Sequence, residues 1–385
     1  MMATRWLCCA LALVGIVAPA RAQEGVKLDP DLPYQGVKSE PVTYQVELSA
    51  VVTPPYKAKV LKVWMPIPPS DSAQEVSDSS FTTYPMKVEP KIGTEPLFGN
   101  RFAYFEFHEP QGAQMVRHQF TVKTWQIDWK IDPAQVTQVK SWPEGFQKYL
   151  RSEPLIPTDE RFAKLARTIV PEPVNSAQDL AGIMRWIHKT MKYSHEECSL
   201  QASAVYALEK QIGHCSDYHG LCNALGRSLG YPTRMAYGIN PVPKNSPSHC
   251  KLEAYLPPHG WVAFDVSETQ QMIAKIKKDG KLTEERKEAL ATAALKRLDQ
   301  GFRDNTWFLQ TRGSDYDLAP PAKRKVAVVR TIYAEADGVA YPEPDPANPK
   351  QSAFSWMTMH RYTPDRPVTN PFHDWRSLDR APRTN

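Results

Sequence analysis

Three residues could do chemistry together: Cys215, His249 and Asp265. Cys215 stands in Gly213-His214-Cys215-Ser216-Asp217-Tyr218, a glycine-led turn. Behind it Tyr218, Leu221, Cys222, Leu225 and Leu229 recur at helical spacing, and Gly230 with Pro232 ends the run. A thiol in the first turn of a helix meets unpaired N–H groups and the positive end of the dipole, which favours thiolate. With a histidine nearby, such thiols titrate at roughly 3.5–7.5. A cysteine nucleophile needs a base to take its proton and a third group to orient that base, the arrangement that performs acyl transfer through a thioester. A lone cysteine is more often structural, and the case rests on all three residues.

His249 and Asp265 fall on two strand candidates, His249 to Leu256 and Trp261 to Val266, joined by Pro257-Pro258-His259-Gly260. A symmetric four-residue loop would set Leu252 against Asp265 and turn His249 to the opposite face. An odd register, from a three- or five-residue loop or a bulge, brings both to one face with Asp265 diagonal to His249, roughly 7 Å between Cβ atoms. A triad requires the odd register.

The elements that must hold these residues read as helices followed by strands. Thr158 opens a helix carrying Phe162, Leu165, Ala166 and Ile169, and Ser176-Ala-Gln-Asp179 matches a capping box before Leu180, Ile183, Met184, Ile187 and Met191. Helices that precede strands argue α+β and not a parallel doubly wound sheet. Upstream, Tyr44 to Val52, Val60 to Met65, Phe102 to Phe107 and Val116 to Ile127 alternate with period two, predicting an antiparallel β-sandwich. The expected organisation is a signal peptide (1–22), a disordered lead-in (23–41), the sandwich (42–131), a linker (132–157), the cysteine-bearing domain (158–363) with a charged helical insertion (271–301), and a flexible tail (364–385). Within 158–363, the pieces Trp307 to Thr311, Val326 to Ala334 and Ser352 to His360 are expected to finish one sheet.

Composition bounds the remaining functions. The chain has 385 residues, 42% hydrophobic and 23% charged, with 35 prolines, as in a globular protein rich in turns. Arg5, the apolar run Leu7 to Ala18 and Ala20-Arg21-Ala22 have the form of an export signal cut after Ala22, too short to span a bilayer. This predicts a periplasmic or extracellular protein with no stable membrane insertion. Lysine and arginine total 47 against 42 acidic residues, with no basic block interleaved with aromatics, so nucleic acid is not an expected partner. Cys8 and Cys9 leave with the signal; if Cys215 stays free, at most one bridge forms among Cys198, Cys222 and Cys250. No G-x-G-x-x-G, P-loop, EF-hand or H-E-x-x-H is present, and no cofactor is expected. His195, Cys198, Cys215, His219 and Cys222 could be drawn as zinc ligands, but they lack paired spacing, and three of them would serve from one helix. No metal site is expected.

Gly213-His-Cys215-Ser-Asp217-Tyr218, then His249 with Glu253, then Gly260-Trp261-Val-Ala-Phe-Asp265, resembles the core of the transglutaminase-like superfamily, related in architecture to papain-like cysteine peptidases. The similarity covers about residues 158 to 270. It implies a helix bundle packed on an antiparallel sheet, a Cys215-His249-Asp265 catalytic triad, and an enzyme acting as acyltransferase, peptidase or amidase on a protein or peptide. One departure is local: the family often places Trp shortly after the histidine, whereas Cys250-Lys251 follows His249 here. The alternative is a catalytically inactive scaffold of the cell envelope built on the same fold. The residues name no acyl donor, acceptor or oligomeric state.

Overall fold

The computed structural model describes residues 27–241, 248–345 and 356–379; the expected signal at 1–22 lies outside them. Strands β1 (Val37–Val52), β2 (Val60–Ile67), β3 (Gln74–Tyr84), β4 (Lys91–Thr94), β5 (Arg101–His108) and β6 (Gln114–Asp128) come first. Helices α1 (Glu160–Ile169) and α2 (Ser176–Thr190) follow, then β7 (Lys192–Tyr193), α3 (Ala204–Lys210), β8 (Ile212–Gly213) and α4 (Cys215–Ser228). After them come β9 (Thr233–Ile239), β10 (Ser248–Leu256), β11 (Gly260–Phe264), α5 (Val266–Lys278) and α6 (Glu284–Gln300). The chain closes with β12 (Phe302–Arg303), β13 (Phe308–Arg312), β14 (Tyr333–Ala336), β15 (Val339–Ala340) and β16 (Trp356–Pro364). The fold is α+β, with antiparallel main sheets and a sheet-rich N-terminal region.

Two sheets build the N-terminal part, one ordered β12-β6-β1-β16 with β3 also on β6, the other β15-β14-β2-β5-β4. Their inner faces meet through Ala50, Val52, Val116 and Trp356 on one side and Leu61, Val63, Phe105 and Phe107 on the other. Period-two alternation puts these residues inward. Each large apolar side chain so buried contributes roughly 1.5–3 kcal/mol.

The sheet that carries the site is β11-β10-β9-β13, with α4 packed against β9 and β10. Every residue of α4 from Cys215 to Arg227 is buried, so the helix runs through the core and its polar members need partners. Arg227 finds Glu153 (2.8 Å) and the Thr233 carbonyl (3.1 Å).

Four expectations are corrected. Residues 27–36 of the lead-in are ordered, because the Trp261 indole donates to the Pro30 carbonyl at 2.8 Å and Tyr34 bonds Glu253. Only the piece near 308–312 joins the β9 sheet; β14 pairs with β2, and β16 pairs with β1 from Tyr44↔Pro364 to Val52↔Trp356. Alternation told which face of these strands is buried but not which neighbour they seek. The described part of the tail is anchored, with Phe372 3% exposed. Helix starts move by one residue, since Asp159 and Asn175 supply the capping oxygens expected of Thr158 and Ser176. Helices α5 and α6 pack as a hairpin over 266–300, beginning five residues before the insertion expected at 271.

Candidate active site

The turn before Cys215 is fixed from both sides. Ile212 and Gly213 pair in parallel with Lys192 and Tyr193, and the Asp217 carboxylate accepts from the His214 N–H (3.2 Å) and the Ser199 N–H (3.1 Å). A Cβ on Gly213 would lie 2.6 Å from the Asp217 Cβ, so only glycine lets the strand approach this closely. Cys215 thus occupies the first position of α4, 2% exposed, with both His214 ring nitrogens 3.8 Å from its sulfur.

The β10–β11 pairing takes the odd register. Leu256 pairs with Gly260 and Leu252 with Phe264, leaving a three-residue loop. One more step sets Lys251 opposite Asp265 and His249 two residues along the same face. The His249 Nε2 is 2.6 Å from Asp265 Oδ2. Asp265 caps α5, and its Oδ1 accepts from the Glu268 N–H (3.0 Å) and the Ser267 hydroxyl (3.1 Å). Behind the histidine, the Trp307 indole donates to the His249 carbonyl at 3.1 Å.

Burial opposes charge on all three residues, and local partners overcome it. For Cys215, burial pushes the thiol up, but the Cys250 hydrogen bond and the histidines at 214 and 249 bring it well below its ordinary value. With His249 Nε2 committed to Asp265, Nδ1 is left for the sulfur. Burial disfavours the imidazolium, yet Asp265 and Cys215 lift His249 to about 10. Asp265 is raised by burial but held well below the usual carboxylate range by Lys251 and His249. The arrangement favours a thiolate–imidazolium pair steered by a carboxylate, which can attack an electrophilic carbonyl.

Several neighbours carry no role in the sequence reading. Lys251 lies 2.8 Å from Asp265 Oδ2 and 2.8 Å from Asp304 Oδ2. His219 accepts from the Val266 N–H at Nε2 (3.2 Å) and therefore directs Nδ1–H to the Cys250 sulfur (3.4 Å); burial takes it down to about 4, so it is neutral. Lys251 was findable by alternation, two residues from His249 on the same strand face, whereas Asp304 is 53 residues beyond it and gives no local signal. The five candidate zinc residues do not converge, and no group suited to a metal occurs among the described residues. All four described cysteines are free. None of the helices described is long and apolar enough to cross a membrane.

Residues 163–266 match the transglutaminase-like superfamily. An uncharacterized protein of Haemophilus influenzae is 26% identical over 244 residues, covering 55% of this chain and 62% of the relative, so the chain spans about three fifths of that relative's length. The crystal structure of a Cytophaga hutchinsonii protein named as a candidate cysteine protease aligns with TM-score 0.57 at 17% identity, covering 89% of this chain and 97% of that one. The likeness is one of fold. The periplasmic domain of TgpA from Pseudomonas aeruginosa aligns with TM-score 0.33 at 12% identity, covering 62% of this chain and 91% of that one. The segment that matches the transglutaminase-like superfamily, residues 163–266, is the one that holds Cys215, His249 and Asp265.

Proposed function

We propose that the protein is an exported cysteine enzyme that performs acyl transfer or hydrolysis at a carboxamide or peptide bond of a protein or peptide. The observation that carries this reading is the 2.6 Å contact between His249 and Asp265, on a histidine that also hydrogen-bonds Cys215 at the start of a buried helix. The Cys215 thiolate adds to the carbonyl carbon, and the oxygen takes up negative charge beside the Cys215 N–H. The C–N bond breaks as His249 gives its proton to the departing ammonia or amine, leaving a thioester. Asp265 holds the imidazole in the useful tautomer throughout. Water then releases an acid, or a second amine takes the acyl group, and Cys215 returns to thiolate.

The test is mass spectrometry of a glutamine-containing peptide incubated with the protein, with and without a primary amine. Deamidation, cleavage and amine incorporation have distinct mass changes, and each is expected to vanish in Cys215→Ala and to fall by roughly 10³-fold or more in His249→Ala. An unmodified peptide together with a Cys215 no more reactive than an ordinary thiol would leave an inactive scaffold as the reading. Export is tested separately: the mature protein is expected to begin at Gln23 when its intact mass is measured after secretion. A retained N-terminus rejects the cut after Ala22.

A further inference from the structure

Lys251 is 1% exposed, and a buried ammonium is stable only where it is paired, since stripping its water is costly. Its partners are unequal in function. It lies 2.8 Å from Asp304 Oδ2, and 2.8 Å from the same Asp265 oxygen that His249 contacts at 2.6 Å. The rings of Phe372 and Trp307 lie 5.1 and 5.4 Å from its nitrogen and keep water away. One carboxylate oxygen therefore serves two cations, and one of those cations is shared with a second carboxylate.

We propose that Lys251 is a positioning residue for the Cys215–His249 pair, dividing the charge of Asp265 so that Asp304, by drawing on Lys251, sets how strongly the imidazole is held protonated. The proposal rests on the reading of Cys215 as nucleophile only for its consequence in catalysis. Its structural half concerns His249 alone. A Lys251 that leans wholly on Asp265 leaves less charge for the imidazolium, and a Lys251 neutralised by Asp304 leaves more. Other groups facing this carboxylate are His219, 3.8 Å from Oδ1; Cys215 beside the imidazole; Cys250, whose thiol faces Cys215 and His219; Arg297 of α6, whose charge reaches Asp265 and Asp304; and Glu268, turned toward His373 at 3.4 Å. Two variants, one single and one double, that leave all of these in place should act in opposite directions.

Asp304→Asn keeps the Lys251–Asp265 pair and removes the opposing charge, so the proton on His249 should be lost about one pH unit lower. Lys251→Met combined with Asp304→Asn removes one charge of each sign; the cation shares Asp265 Oδ2 with His249 while Asp304 meets the cation behind it, so the loss should move about one unit higher. The experiment is an NMR titration of the His249 Cε1–H in the full chain, with Cys215 alkylation by iodoacetamide followed in parallel and melting curves recorded for each variant. Opposite shifts with retained melting support the proposal. Unmoved titrations, or shifts of one sign, overturn it. Should the double variant fail to fold, the downward shift in Asp304→Asn decides alone, and its absence overturns the proposal. A wild-type Cys215 inert to iodoacetamide, with His249 still shifting in both directions, removes the enzymatic reading and leaves the charge division standing.

Discussion

On the proposed reading, charge and not exposure selects the reactive thiol among the four described. Cys215 is nearly inaccessible yet its thiol is brought well below its ordinary value, while Cys198 is more open and raised by burial and by Asp217 to about 11. Burial pushes Cys222 up, and burial together with Cys215 pushes Cys250 up. Limited iodoacetamide at neutral pH is therefore expected to modify Cys215 alone, with Cys198 joining only in strong alkali, as read by peptide mass mapping. Comparable labelling of Cys198 at pH 7 would contradict this account of the site. Glu253 makes a parallel case four residues along the same strand. Burial raises its carboxyl, but Arg234 (2.6 Å) and Arg312 (3.4 Å) outweigh it and bring the group from 4.5 to about 2. A depressed carboxylate stabilises the fold fully above its unfolded value and ceases to do so as pH falls through its folded value. Urea titrations should thus show stability declining between about pH 4.5 and 2, a decline that Glu253→Gln flattens while lowering neutral-pH stability by roughly 3–5 kcal/mol, the cost of orphaning buried charge. An unchanged acid limb in the variant would reject Glu253 as its source.

At the scale of elements, the start of α4 is the joint on which reactivity turns, and Gly213 is its tightest point. Gly213→Ala places a methyl 2.6 Å from the Asp217 Cβ and 2.7 Å from its Oδ2, the oxygen that accepts from His214 and Ser199. Overpacking of this kind costs typically 1–3 kcal/mol. The variant is expected to melt lower and to alkylate at Cys215 at least several-fold more slowly; wild-type reactivity would show that the joint tolerates displacement. The helix itself was legible in the sequence because its apolar recurrence, its leading glycine and its Gly-Pro stop are all local. The His249–Asp265 register was legible as a condition, since the Pro-Pro-His-Gly turn admits either parity and only the pairing Leu256↔Gly260 fixes it. Strand β3 gave almost no signal, being rich in Ser and Thr and largely exposed. The second carboxylate on Lys251 gave none, because Asp304 sits beyond a helical hairpin and periodicity carries no information across such a gap.

On the scale of the whole molecule, the C-terminal residues bind regions that sequence reading treats as separate. β16 supplies one edge of the β1 sheet and Trp356 to the core between the sheets, while Phe372, a few residues on, covers Lys251 behind the site. Two truncations separate these duties. A chain ending at Pro364 keeps β16 but uncovers Lys251; water reaching that ammonium weakens its hold on Asp265, so His249 should keep its proton to higher pH, in the same direction as removing Lys251 and Asp304 together. A chain ending at Asp345 also loses β16, exposes the edge of β1 and empties the Trp356 site, whose deletion alone costs roughly 3–5 kcal/mol. The shorter chain is expected to lose cooperative melting or to aggregate through the open edge, as followed by circular dichroism and light scattering. A chain ending at Asp345 that melts like the full protein would mean that the N-terminal sheets stand without their C-terminal strand, and that Phe372 reports only on the site.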